Sequence, residues 1–208
     1  MIKNKLTAPF TDYQHPSPND NDVAHATVYN VGVELFHGET VQMLRDKTRD
    51  SYRVFKDVIW EQYVTLTRII RFRATNGEPY ANSQEMLNDV WDNQTLIVRR
   101  SFGRGYQDIP EDHPMAELRL GLPFNDYFRA VHDVLGHAAT FSGFGPKGEK
   151  TAWLNHRATM PPEALNALWC ETRGQNAWTN FYGNHASLPL KDRPFAPQIQ
   201  MVVPGDFI

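Results

Sequence analysis

The chain is poor in several features that mark large classes of protein. Cys170 is the single cysteine in 208 residues, so no intrachain disulfide can form and a reducing cytoplasm fits best. No stretch approaches the ~20 apolar residues of a membrane-spanning helix. The first residues, "MIKNKLTAPF", also lack the apolar run of a signal peptide. We therefore expect a soluble cytoplasmic protein with no membrane partner.

A strong excess of one charge is also missing. The 21 basic and 24 acidic side chains leave a net charge of −3, which gives no overall attraction to nucleic acid. One local segment, "VRRSFGRGY" (98–106), interleaves three arginines with two aromatic residues and is suited to holding a phosphate or a base. A solvated strand end and turn explains it more simply. We expect a small-molecule substrate as the partner, and no pattern indicates the oligomeric state.

Helical periodicity is the main pattern that is present. An apolar stripe predicts one long helix, or two nearly continuous ones, from Thr40 to about Phe72. Helical spacing also predicts helices over 83–91, 124–139, 149–157 and 161–183, and 95–101 is the clearest strand. Residues 25–36 read as a strand or a short irregular segment. The prediction is a mainly α fold with minor β: an irregular N-terminal arm (1–39), then a single compact helical domain (40–208) ending in a proline-rich tail.

Within the segment "FRAVHDVLGH" (128–137), the six residues from His132 to His137 place three ionisable groups in an apolar helix. Five residues on an ideal helix turn through about 500°, so His132 and His137 would point about 140° apart. Gly136 is the residue that would let the chain loosen or end and turn the second imidazole. Taken singly, each group has a structural explanation, such as an ion pair between Asp133 and Arg129. Together they predict a metal site.

Glu171 is the predicted third ligand, because it falls within the apolar stripe of the last long helix. A buried carboxylate is costly unless it is paired or bound to a cation. Two imidazoles and one carboxylate form the site of non-haem Fe(II) oxygenases, which leaves positions open. Pairing with Arg173, Arg157 or Arg129 is the structural alternative. Arg173 and Gln175 lie within about one turn of Glu171 and are candidates to orient a substrate or hold the carboxylate.

The motif "HDVLGHA" resembles the iron-binding signature of the aromatic amino acid hydroxylases, and the likeness runs from Phe128 to Asn176. The resemblance implies that His132, His137 and Glu171 bind iron. It also implies that Asp133 accepts a hydrogen bond that fixes the orientation of one of these iron ligands. It also implies oxidation of an aromatic or heterocyclic substrate by molecular oxygen. The sequence departs from the family at Trp169, which stands two rather than four residues before the acid. No pterin-binding segment can be placed, so pterin stays open, as do zinc and manganese in place of iron.

Two other functions compete with the oxygenase. The pair His132-Asp133 also resembles the histidine–aspartate phosphohydrolases, which would need His113 as an earlier ligand and act on nucleotides with Mn²⁺, Mg²⁺ or Zn²⁺. Their later acid has only Asp192 and Asp206 as candidates, both in the tail. A non-catalytic, metal-stabilised assembly protein is third. His156 would favour it by filling a fourth coordination position, since a catalytic site keeps one open.

Overall fold

The fold is mainly α with minor β, as the sequence predicts. A computed structural model describes residues 13–36, 40–103, 106–107 and 109–208. Its helices are α1 (Asp22–Leu35), α2 (Thr40–Leu66), α3 (Ser83–Asn93), α4 (Phe124–His132), α5 (Pro146–Arg157), α6 (Leu165–Trp169) and α7 (Gln175–Phe181). Two π-helical segments, Asp133–Ala138 and Cys170–Gly174, continue α4 and α6. Over these ranges no helix has the length and apolar character that a membrane crossing needs.

The chain divides into two compact units. The first comprises residues 56–159, and the second comprises 13–55 together with 160–208. Residues 1–12 and 37–39 of the predicted arm lie outside the described residues. The predicted boundary between an arm and a domain at residue 40 stays a prediction.

In the first unit, a short parallel sheet packs with helices α3 and α4. Strand β1 (Arg71–Thr75) pairs in parallel with β2 (Thr95–Arg99). The sequence predicts β2, but the strand ends two residues before the predicted end at residue 101. Helix α3 begins at Ser83, where the sequence predicts a helix, and the side chain of its N-cap Asn82 accepts a hydrogen bond from the Glu85 backbone N–H. The two-residue strands β3 (Phe102–Gly103) and β4 (Tyr106–Gln107) pair with each other, as do β5 (Leu118–Arg119) and β6 (Leu122–Pro123).

The stripe predicted for α2 is buried, although the helix ends six residues earlier than Phe72. It ends at Leu66, and Phe72 belongs instead to β1. The buried members of the stripe are Leu44, Tyr52, Phe55, Ile59, Leu66 and Ile70. Because Ile70 remains buried beyond the helix, the apolar pattern continued across a turn and suggested a longer helix.

In the second unit, the prediction of a strand or a short irregular segment over residues 25–36 is wrong. They lie mostly in α1, whose N-cap Asn21 accepts hydrogen bonds from the backbone N–H groups of Val23 and Ala24. The β-branched and aromatic residues of this segment suggested a strand. Burial of His25, Ala26 and Tyr29 on one helical face outweighs that weak preference.

The proline-rich tail is irregular, as predicted, yet it supplies core to the second unit. Tyr29 donates a hydrogen bond to the Pro197 carbonyl (2.6 Å). The Asn166 side chain donates to the Met201 carbonyl and accepts from the Val203 N–H, both at 2.8 Å. These side-chain bonds pair backbone groups that have no strand neighbour, so the tail packs without regular structure.

Candidate metal centre

His132 and His137 come together because the helix widens between them. Helix α4 continues into the π-helical segment Asp133–Ala138, where hydrogen bonds join residues five apart. Residues five apart are then about one turn apart, so both imidazoles point to the same side. Their ring centroids are 5.3 Å apart. The loosening that the sequence predicts at Gly136 thus takes the form of a wider turn rather than a helix end.

Gly136 is needed for close packing as well. A Cβ atom there would lie 3.0 Å from the Ala152 Cβ, 3.2 Å from the Ala152 carbonyl oxygen and 3.2 Å from the His132 Cε1. The absent side chain lets α5 approach the π-helical segment. This approach brings Glu149, in the first turn of α5, to the two histidines.

His132, His137 and Glu149 form a group that could hold a metal ion, with ligand atoms all within 4.8 Å of one another. His132 and His137 are 8% and 1% exposed, and the Glu149 side chain is 23% exposed. Sequence reasoning missed Glu149. The signal was present, because Glu149 lies three, four and seven residues before the buried Ala152, Trp153 and His156 of the same helix. Glu149 therefore lies on the apolar stripe of its helix, as Glu171 does on that of the last helix.

The surroundings of His137 fix which nitrogen faces the group. Its Nδ1 lies 3.2 Å from the Ser142 carbonyl oxygen, so Nδ1 carries the proton and donates. Its Nε2 lies 3.5 Å from Oε1 of Glu149. Burial alone would lower the pKa of His137, but hydrogen bonding to Glu149 and the charges of Glu149 and Asp133 outweigh it and raise the pKa. In the neutral ring, the Nε2 lone pair faces the carboxylate.

A chain of hydrogen bonds fixes His132 in the same way. The Gln62 amide nitrogen donates to the Thr159 Oγ1 (2.9 Å) and carbonyl (3.2 Å), which leaves the Gln62 Oε1 as the acceptor for His156 Nε2 at 3.2 Å. His156 therefore carries its proton on Nε2, and its Nδ1 accepts from His132 Nδ1 at 3.1 Å. Burial lowers the pKa of His156 to about 3. Burial and the two neighbouring histidines hold the pKa of His132 well below its usual value, so both rings are neutral.

These assignments leave three hydrogen-bond acceptors facing one another. They are the Nε2 atoms of His132 and His137 and the carboxylate of Glu149, and His132 Nε2 is buried with no hydrogen-bond partner among the described residues. Acceptors that face each other repel unless a proton or a cation lies between them. The raised pKa of His137 means that a proton on this ring is one way to relieve the repulsion. A bound divalent cation is the other way.

His156 is thereby placed behind His132 rather than beside the metal position. Both of its ring nitrogens are engaged, one by Gln62 and one by His132. Within the described ranges, the group has three protein members. The sequence had left open a fourth ligand from His156, and the hydrogen bonds instead make it a positioning residue.

The predicted ligand Glu171 lies in the second unit, in the π-helical segment Cys170–Gly174. Its predicted burial is confirmed, and its Oε1 accepts a hydrogen bond from the Tyr52 hydroxyl at 2.5 Å. Burial raises the pKa of Glu171 to about 7, and the Tyr52 hydrogen bond works in the opposite direction. Because the two histidines belong to the first unit, the role of Glu171 as a metal ligand stays a prediction.

The three residues predicted to act in catalysis differ in their surroundings. Asp133 adjoins His132, and burial, with a smaller contribution from the Glu149 charge, raises its pKa to about 6 against the opposing charges of His137 and Arg129. Arg173 is buried and forms an ion pair with Asp22. Gln175 exchanges hydrogen bonds with Gln198 at 3.1 and 3.3 Å. The last two contacts tie the second unit together, and all three catalytic roles stay predictions.

The residues required by the phosphohydrolase alternative belong to both units. His113 caps the 3₁₀ turn Pro114–Ala116, where its Nδ1 accepts from the Met115 N–H at 3.3 Å. Asp192 and Asp206 are exposed, in the 3₁₀ turns Leu190–Asp192 and Gly205–Phe207 of the second unit. In the basic segment, Arg99 pairs with Glu78, and Arg104 lies outside the described residues.

No protein-family model, curated protein or solved structure matches the chain. The likeness to the aromatic amino acid hydroxylases therefore rests on the sequence from Phe128 to Asn176 alone, and it stays a prediction.

Proposed function

We propose that this protein binds one Fe(II) ion through His132, His137 and Glu149 and is a non-haem oxygenase of the hydroxylase type. The observation that carries the proposal is the grouping of two imidazoles and one carboxylate, with ligand atoms all within 4.8 Å of one another. That donor set is the one that non-haem Fe(II) oxygenases use, and three protein ligands leave coordination positions open for oxygen and substrate. The resemblance of "HDVLGHA" to the hydroxylase signature agrees with it.

The residues around the group are suited to such a site. Gln62 and His156 hold the His132 ring so that its Nε2 lone pair faces the metal position. The Ser142 carbonyl does the same for His137. Phe144 packs edge-on against the His137 ring, with centroids 5.0 Å apart. Bound iron would supply the activation of molecular oxygen, and an aromatic or heterocyclic substrate is the first class to screen.

Elemental analysis of untagged protein purified without oxygen tests the proposal. We expect about one iron per chain, retained in Glu171→Gln and lost in Glu149→Gln. Glu163→Gln is the matched control, because Glu163 is an exposed glutamate in a 3₁₀ turn of the second unit. Iron retained in Glu149→Gln but lost in Glu171→Gln would overturn the assignment of Glu149 and favour the set predicted from sequence.

Oxygen consumption separates the oxygenase from a structural metal site. The iron-loaded protein, given a reductant and a panel of aromatic and heterocyclic compounds, should consume oxygen faster with at least one of them. The same assay on His132→Ala, supplied with the same amount of iron, is the control for unbound iron. Tightly held zinc at one per chain, with no oxygen consumption after exchange to iron, would contradict the oxygenase and favour a structural role.

A further inference from the structure

Helix α4 lines a cavity in the first unit that the metal group does not use. The cavity has a volume of about 70 Å³ and is partly open to solvent. Its aromatic wall comes from Tyr63 of α2, Phe72 of β1 and Tyr127 of α4. The centroid of the Tyr63 ring lies 4.9 Å from that of Phe72 and 4.8 Å from that of Tyr127, so the three rings form one continuous surface.

Asp126 of α4 also lines this cavity and is 4% exposed. Its Oδ1 has a structural role, because it accepts hydrogen bonds from the Ser101 N–H (2.8 Å) and hydroxyl. Asn125 in turn donates to the Ser101 hydroxyl oxygen at 2.8 Å. The Oδ2 of Asp126, in contrast, is buried and has no hydrogen-bond partner among the described residues. A buried carboxylate oxygen without a donor is costly, so the missing donor indicates that a ligand supplies it.

We propose that the cavity is a binding site for a primary alkylammonium group. An N–H of the ammonium would donate a charge-assisted hydrogen bond to Asp126 Oδ2, the stronger kind of hydrogen bond. The rings of Tyr63, Phe72 and Tyr127 would cover its alkyl part, and aromatic faces attract cations. The volume suits a small head group, and the open side lets a longer molecule extend outward. Arg73 also lines the cavity, but its side chain is exposed, so solvent screens its repulsion of a bound cation.

The proposal requires both positive charge and an N–H donor, and three probes separate these requirements. Butylammonium has both, 1-butanol has a donor without charge, and tetramethylammonium has charge without a donor. Titrating each into the full chain and following the tyrosine ring signals by NMR gives the affinities. We expect saturable binding of butylammonium and at least about tenfold weaker binding of the other two. Equal binding of butylammonium and 1-butanol, or no saturable binding of butylammonium, would overturn the proposal.

Substitutions test the residues. Asp126→Asn should weaken butylammonium binding at least about tenfold, while Asp57→Asn, an exposed aspartate on α2, should leave it unchanged. If Asp126→Asn fails to fold, Tyr63→Leu removes one ring from the wall without touching the Ser101 network and should weaken binding several-fold. Unchanged affinity in Tyr63→Leu, or in a folded Asp126→Asn, would contradict the site. Butylammonium binding does not require a bound metal, so these tests can fail or succeed independently of the oxygenase proposal.

Discussion

Two helices of this protein widen into π-helical turns, and the ionisable groups buried there have different partners. In the first unit, the Asp133–Ala138 turn directs His132 and His137 toward Glu149, so three acceptors face one another. In the second unit, the Cys170–Gly174 turn holds Glu171 against the Tyr52 hydroxyl, so an acceptor faces a donor. The first arrangement requires a cation or a proton, whereas the second already provides a hydrogen bond. Burial of a charged group therefore does not identify a metal site until its partners are known.

Removing a member of the first group should have the largest effect. His137→Ala and Glu149→Gln each delete or neutralise one of three metal donors. We expect Fe(II) affinity, measured by anaerobic calorimetry, to fall by more than the roughly 10–100-fold that loss of an orienting group costs. His185→Ala, which removes a histidine of the second unit, is the control. Parent-like affinity in both variants would show that these side chains do not bind the ion.

The second arrangement predicts a pH effect on stability rather than on metal binding. The folded pKa of Glu171, about 7, lies above the unfolded value of about 4.3, so the folded state binds more protons between these values. This contribution to the free energy of unfolding, about 4 kcal/mol, is fully present below about pH 4 and is lost as pH rises through about 7. Glu171→Gln should therefore flatten that part of the stability profile in urea unfolding from pH 4 to 8. Parallel profiles for parent and variant would contradict the pKa shift.

Disturbing the hydrogen-bond chain behind His132 should have a smaller effect on metal than losing a ligand. Gln62→Leu removes the acceptor for His156 and lets the proton positions change, so Fe(II) affinity should fall roughly 10–100-fold. Gln62→Glu keeps an acceptor oxygen and should bind more tightly than Gln62→Leu. Equal Fe(II) affinities in the two variants would mean that the hydrogen bonds from Gln62 to His156 and His132 affect packing only.

Packing at Gly136 should give the smallest effect. Gly136→Ala places a methyl group 3.0 Å from the Ala152 Cβ and 3.2 Å from the His132 Cε1. We expect a loss of about 1 kcal/mol or somewhat more in the free energy of unfolding, near the low end for overpacking. Adding Ala152→Gly should restore part of it in thermal or urea unfolding. No recovery in the double variant would assign the cost to the His132 ring or the Ala152 backbone instead.

Much of the fold could be predicted from periodicity and capping. The burial of most of the α2 stripe, a helix that begins at residue 83 and the strand Thr95–Arg99 all follow from local sequence. Strand β1 could not be predicted, because five residues with a partly exposed pattern become a strand only through pairing with β2. Helix α1 was missed because its β-branched residues favour a strand locally, and packing with other elements decides the outcome.

The two histidines of the candidate site could be predicted from the sequence, but Glu149 could not. The five-residue spacing of His132 and His137 and the glycine between them indicate one metal-binding segment without any tertiary information. The third member depends on which helix packs against that segment, and the sequence does not reveal that α5 brings Glu149 there. The hydrogen bonds from Gln62 to His156 and from His156 to His132 join residues 94 and 24 apart in the sequence, and no local pattern encodes them.

Anomalous diffraction from crystals grown anaerobically with Fe(II) tests the central claim most directly. The account predicts one iron peak within about 2.2 Å of the Nε2 atoms of His132 and His137 and of a Glu149 carboxylate oxygen. The Nδ1 atoms of both histidines should remain hydrogen-bonded to His156 and to the Ser142 carbonyl. A peak coordinated by Nδ1 atoms, or a fully occupied iron site without Glu149, would contradict it.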